Sequence, residues 1–127
     1  MGIKDQINQT DSNGLKQGLW RDYYNTIMSL QNNLLFKEEY YVDGIKHGLS
    51  RIWYENGQLT AEVYNVNGTI NGLRRTWYDN GALRSEVYYV NGLRNGSWKY
   101  WYQDGTLIWE GYHVNGIKEG EQIRYDI

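Results

Sequence analysis

Between residues 43 and 127, aromatic and β-branched residues alternate with polar ones in runs too short for a helix, and each run ends at Asn-Gly or Asp-Gly. The turns are Asp43-Gly44, Asn56-Gly57, Asn67-Gly68, Asn80-Gly81, Asn91-Gly92, Asp104-Gly105 and Asn115-Gly116, spaced alternately by 13 and 11 residues. Period-two alternation marks strands with two unlike faces. Asn-Gly and Asp-Gly favour the two-residue type I′ hairpin, because both central residues need φ > 0. The pattern therefore predicts an all-β chain: an elongated, twisted antiparallel meander of tandem hairpins, about nine strands in a single-layer sheet.

Three units of 24 residues align without gaps: 43–66, 67–90 and 91–114. A half unit follows at 115–127, and an earlier unit, 13–42, fits once six extra residues are placed at its hairpin tip, within 25–33. Residues 1–12 form a polar leader. Gly48, Gly72, Gly96 and Gly120 recur, as do Trp53, Trp77 and Trp101; Tyr54, Tyr78 and Tyr102; and Tyr64, Tyr88 and Tyr112. In a stacked array the same slot receives the same side chain.

Reading Asn56-Gly57 as a two-residue loop sets Tyr54 opposite Leu59, Trp53 opposite Thr60, Arg51 opposite Glu62 and Leu49 opposite Tyr64. A basic residue then faces a Glu in every unit: Arg51 and Glu62, Arg75 and Glu86, Lys99 and Glu110. Each cross-strand pair contributes roughly 0.2–1 kcal/mol and fixes register as much as stability. An interior Gly four residues after each turn marks a bulge or a sharp bend. If Gly48 and its copies bulge, pairing within hairpins survives, while pairing between repeats stays open.

The motif N-G-x-x-x-G-x-x-x-x-W-Y-x-N-G-x-L-x-x-E-x-Y resembles the MORN repeat variant family over roughly residues 13–127. It is carried by Gly44, Gly48, Trp53, Tyr54, Asn56, Gly57, Leu59, Glu62, Tyr64 and their copies. The resemblance implies a non-enzymatic interaction or scaffold module that holds a protein partner or dimerises. It also implies, as a minor alternative, an antitoxin-like neutralising protein. Longer arrays of the ordinary MORN type are linked to phospholipids, but this chain departs from them in being acidic overall.

Composition narrows the chemistry. The formal charge is −2, so there is no basic excess to neutralise phosphates, which argues against nucleic acid and lends a membrane partner no support. Without Cys there is neither a disulfide framework nor a thiolate metal site. The only histidines, His47 and His113, lack metal-ligand spacing and are expected at the surface. The Glu62–Glu86–Glu110 ladder is expected to be ion-paired rather than to hold a cation. The reading is of no enzyme, no cofactor and no metal. Residues 1–12 do not resemble a signal peptide, and no apolar run nears the ~20 residues that span a bilayer, so a cytoplasmic protein is expected.

Three surfaces are candidates for a partner. Trp53, Trp77 and Trp101 form either the seam between hairpins or a platform for a carbohydrate or lipid head group. Ile27, Met28 and Leu30, on the enlarged tip, form either a cap or a contact with a protein. The last strand, Gln122 to Tyr125, lacks a hairpin partner, leaving an edge for a homodimer; the aromatic face offers a second route to one.

Overall fold

The computed structural model describes residues 7–24 and 35–125. Candidate residues Ile27, Met28 and Leu30 lie outside them. The strands are β1 (Gln9–Thr10), β2 (Lys16–Tyr23), β3 (Leu35–Val42), β4 (Ile45–Trp53), β5 (Leu59–Val66) and β6 (Thr69–Ile70). They continue as β7 (Gly72–Trp77), β8 (Leu83–Val90), β9 (Leu93–Trp101), β10 (Leu107–Val114), β11 (Ile117–Lys118) and β12 (Ile123–Arg124). All join one antiparallel sheet in meander order. The difference from nine strands has simple causes. The strand before Trp77 is broken into β6 and β7, the last strand into β11 and β12, and Gln9–Thr10, inside the polar leader, adds β1.

Two turn types alternate where one was expected. Asp43, Asn67, Asn91 and Asn115 sit at φ 50° or 51°, each followed by a Gly at φ 77° to 85°, the type I′ pattern. At the other edge Asn56, Asn80 and Asp104 keep negative φ and only the Gly is left-handed. There Gly57 N donates to Tyr54 O at 3.0 Å and Tyr54 N to Gln58 O at 2.8 Å, a type I turn with a Gly bulge. Asn56 serves through its side chain instead: Oδ1 accepts from Gln58 N at 2.9 Å. This corrects the register at the tip. Trp53 faces Leu59, with Thr60 the extra residue, while Arg51 faces Glu62 and Leu49 faces Tyr64.

Gly48, Gly72 and Gly96, at φ 111°, 100° and 116°, lie where the register slips between hairpins. From Glu39 to Tyr41 β3 advances two residues, while β4 advances four from Lys46 to Ser50. An insertion of two leaves the alternation in phase, so the faces do not reset. Glu38 faces Arg51, Glu62 faces Arg75 and Glu86 faces Lys99 across the repeats.

One face, the outer, carries Arg51, Glu62, Tyr64 and their copies. The inner face carries most of the buried residues: Glu39, Ser50, Asn65, Ser85, Val87, Trp98 and His113. Only strands adjacent in the sheet contribute substantial contacts, so no second layer covers them among the described residues.

Candidate binding surfaces

The backbone ties between units run along both edges. Tyr24, Tyr54 and Tyr78 each donate a hydroxyl to the carbonyl of a tryptophan in the next unit, Trp53, Trp77 and Trp101, at 2.6, 3.0 and 2.6 Å. Along the opposite edge Gly44, Gly68, Gly92 and Gly116 donate to Lys16, Lys46, Ile70 and Arg94 carbonyls at 2.7–2.8 Å. Gln17, His47, Asn71 and Asn95 accept the turn amides of Asp43, Asn67, Asn91 and Asn115. His47 accepts through Nδ1, at 3.3 Å.

The charged positions are consumed in the same way. Arg51 Nε lies 3.0 Å from Glu62 Oε2, and Arg75 Nε 3.0 Å from Glu86 Oε2. A further pair not singled out in the sequence, Arg21 with Glu38 at 3.0 Å, begins the row, and Arg51 also reaches Glu38 at 3.6 Å. The signal for it was present, since Arg21 matches Arg51 once the first unit is aligned. Lys99 faces Glu110 in register, but the two form no ion pair. Glu110 accepts from the Tyr125 hydroxyl at 2.6 Å instead, and that bond holds the Tyr125 phenol above its ordinary pKa.

Trp53, Trp77 and Trp101 are half-buried, and none stacks on another ring among the described residues. The exposed aromatic row on the outer face is Tyr40, Tyr64, Tyr88 and Tyr112, from 42% to 50% exposed. Their hydroxyls bond to nothing among the described residues. Val42, Ile45, Val90, Leu93, Val114 and Ile117 continue the same face beside the type I′ turns and are also exposed. The last strand pairs β10 on one side, with Glu110 facing Ile123, and no strand pairs its other side among the described residues. At the other end Asn8 covers β2, its Oδ1 accepting from Arg21 N at 2.8 Å and its Nδ2 donating to Arg21 O at 3.1 Å.

The inner face holds two polar or aromatic clusters that the sequence did not reveal. Glu39, 3% exposed, receives Lys46 Nζ at 2.6 Å, Lys37 Nζ at 3.2 Å, the Tyr41 hydroxyl at 3.3 Å and the Ser50 hydroxyl at 3.4 Å. Burial pushes its carboxyl upward, but the two lysines outweigh burial and hold it below the ordinary value. At the far end Trp98, Tyr100, Trp109 and Lys118 line an open hollow of ≈ 310 Å³. His113 lies beside Trp98 with ring centroids 6.0 Å apart. It is 4% exposed, which corrects the expectation of a surface residue, because period two turns it inward. Burial first, then Arg94 and Lys118, push its pKa down.

With the hairpins, their bulges and both edge ladders in view, the match to known proteins has a structural basis. The model of the MORN repeat variant matches residues 46–66 and 70–91. Over those two stretches the chain is similar to the MORN repeat variant. No curated protein matches it. Among solved structures, the crystal structure of accessory secretory protein 1, 2 and 3 in Streptococcus pneumoniae aligns at 14% identity and a TM-score of 0.40. That alignment covers 88% of this chain and 19% of the other, a likeness too slight to transfer a function. The MORN-variant segments span β4 to β8, the region where both edge ladders run.

Proposed function

We propose that this chain is a non-catalytic binding module whose outer face holds a protein partner along the tyrosine row. The observation that supports this is recurrence without an internal use. Tyr54 and Tyr78 spend their hydroxyls on the neighbouring unit. Tyr40, Tyr64, Tyr88 and Tyr112 keep theirs free of any described partner while nearly half of each side chain meets solvent. Tyrosine gives a large contact area for little lost side-chain freedom and is enriched at the centres of interfaces. Successive rings lie two strands apart, about 9.6 Å, so an elongated partner meets several equivalent contacts in a line.

The titratable groups support a structural use rather than chemistry. Glu38, Glu62 and Glu86 are ion-paired, His47 closes a turn, and burial disfavours the charged form of His113. A carbohydrate or lipid platform on Trp53, Trp77 and Trp101 has weaker support, since these rings are half-buried within the array.

The test is affinity capture from native lysate with wild type, a Tyr64→Ser, Tyr88→Ser variant and an Ile27→Ser, Met28→Ser, Leu30→Ser variant, each checked for folding by circular dichroism. A protein held by wild type and lost only with the tyrosine variant supports the outer face. Loss only with the tip variant moves the contact to the first hairpin. Equal recovery with the folded tyrosine variant refutes the reading. Light scattering of the same samples identifies a second copy as the partner if wild type alone dimerises.

A further inference from the structure

The last full repeat departs from the two before it at four inner-face positions. Trp98 stands where those units have Ser50 and Arg74, and Tyr100 where they have Ile52 and Thr76. Trp109 replaces Ala61 and Ser85, while Gly111 replaces Val63 and Val87. The four meet across the β9–β10 hairpin, Trp109 facing Tyr100 and Gly111 facing Trp98. Three positions became large aromatics, and the one that lost its side chain lies directly opposite an indole.

That loss has a geometric consequence. A Cβ on Gly111 would lie 1.9 Å from Gln122 Oε1 and 2.6 Å from Trp98 Nε1. Those two atoms are hydrogen-bonded at 2.9 Å, so the glycine is what lets Gln122 reach across and pin the indole. Trp98 then meets Tyr100 edge-on, with centroids 5.6 Å apart, and Trp109 at 6.4 Å with a 34° tilt. With Lys118 they line the open hollow of ≈ 310 Å³.

Charge and shape select the ligand. Lys118 is exposed and has no carboxylate partner among the described residues. The Arg124 guanidinium lies 5.3 Å over the Trp109 ring, and Arg94 lies close enough to the His113 imidazole to push its pKa down. The surroundings are positive, which rejects a cation despite the aromatic walls and favours one negative charge. Slotting a flat ring between the two indoles takes roughly 7–8 Å between parallel faces, and these are closer and tilted. A ligand must lie on the open ring faces, which suits a saturated ring with one apolar C–H face and polar edges.

We propose that the hollow binds an acidic sugar, a pyranose bearing a carboxylate, with its C–H face on Trp109 and Tyr100 and its carboxylate on Lys118. The site is on the inner face, apart from the tyrosine row, and stands or falls independently of it.

The experiment is a titration of the full chain with a galacturonate oligosaccharide, the equivalent neutral galactose oligosaccharide and benzoate. It is followed by tryptophan fluorescence and by the indole N–H resonances of Trp98 and Trp109. Galacturonate is expected to shift both resonances, with the neutral oligosaccharide about tenfold weaker, the loss of one charge-assisted hydrogen bond. Lys118→Gln, a change at an exposed side chain, should weaken galacturonate about tenfold at unchanged melting temperature. Gly111→Val, which restores the residue of the other repeats, should abolish binding. Tyr64→Ser, Tyr88→Ser should leave it intact. Equal binding of the neutral oligosaccharide overturns the role of Lys118, and preference for benzoate overturns the sugar. If none of the three binds, the cluster is only a cap for the array, and the proposal fails.

Discussion

Replacing Glu39 by Gln tests the energetics of the inner face most sharply. The substitution keeps the shape and removes one charge that faces two ammonium groups, at 2.6 and 3.2 Å, and two hydroxyl donors. Breaking a fully buried pair costs 3–5 kcal/mol, because the remaining charge is stranded. Here the stranded groups, Lys37 and Lys46, are about a third to a half exposed and recover water when the carboxylate is gone. The expected cost is therefore lower, about 1.5–3 kcal/mol at neutral pH. For a chain of this length that lowers the melting temperature by about 5–12 °C.

The pH dependence has a definite sign. The folded-state pKa of Glu39 is depressed, so its contribution is complete above the unfolded value and is lost as pH falls through the folded one. Urea or thermal denaturation of wild type and Glu39→Gln should differ fully at pH 7, and the difference should narrow steadily below pH ~4. A gap as wide at pH 3 as at pH 7 would show that the substitution acts through packing, not through the charge. No gap at pH 7 would refute the whole account of this cluster.

Three further outcomes follow from the ladders and bulges. Tyr78→Phe removes a 2.6 Å bond to the Trp101 carbonyl and should cost about 1 kcal/mol in urea denaturation. Tyr102→Phe, at the end of that row, should change stability by less than about 0.5 kcal/mol. Gly48→Ala places a Cβ 3.3 Å from Tyr40 Cβ at φ 111° and should cost about 2–3 kcal/mol, against about 1–2 for Gly72→Ala, where nothing lies within 4 Å at φ 100°. Deamidation at Asn-Gly needs the glycine amide to attack the Asn side chain, and Gly57, Gly68, Gly81, Gly92 and Gly116 all commit that amide to a hydrogen bond. Peptide mass spectrometry after ageing at pH 8 should therefore find these sites converted about tenfold or more slowly in folded than in urea-unfolded chain. Equal rates would contradict the turn geometry.

The meander was legible in the sequence because Asn-Gly and Asp-Gly demand turns wherever they occur between alternating runs. Which turn each one makes was not, since the same dipeptide serves type I′ through its backbone and type I through the Asn or Asp side chain. The 13 and 11 spacing did hold a further signal. Strands stacked in register need a turn every half repeat, and an alternation of 13 and 11 makes one turn-to-turn segment of each unit two residues longer than the other. That is the size of the insertion at Gly48 and Gly96. The inner-face clusters were hidden for the opposite reason. Attention to what recurs in every unit singles out Trp53, Trp77 and Trp101, while Trp20 and Trp98, which share a slot only in the first and last full units, and Trp109, which has no counterpart, drop from view. His113 was misplaced because its proximity to a strand end says less about exposure than the face on which alternation puts it.

Recurrence in this array thus has two meanings that only the hydrogen bonds separate. Tyr54 recurs because each copy satisfies a carbonyl of the next unit, and Asn56 because each copy closes its own turn; such positions would be retained with no partner at all. Tyr64 recurs at the same step, yet its hydroxyl bonds to nothing described and its ring remains in water. A scaffold gains little from repeating an exposed aromatic, which costs solubility, and that is the ground for proposing a partner along the row. Trp98, Tyr100, Trp109 and Gly111 form a third category, changed together on one face of one hairpin. Stacking places like side chains in like slots; Trp98 shares its slot with Trp20, whereas Tyr100, Trp109 and Gly111 have no counterparts in the other units, and these three exceptions around one hollow are the basis of the proposed ligand site.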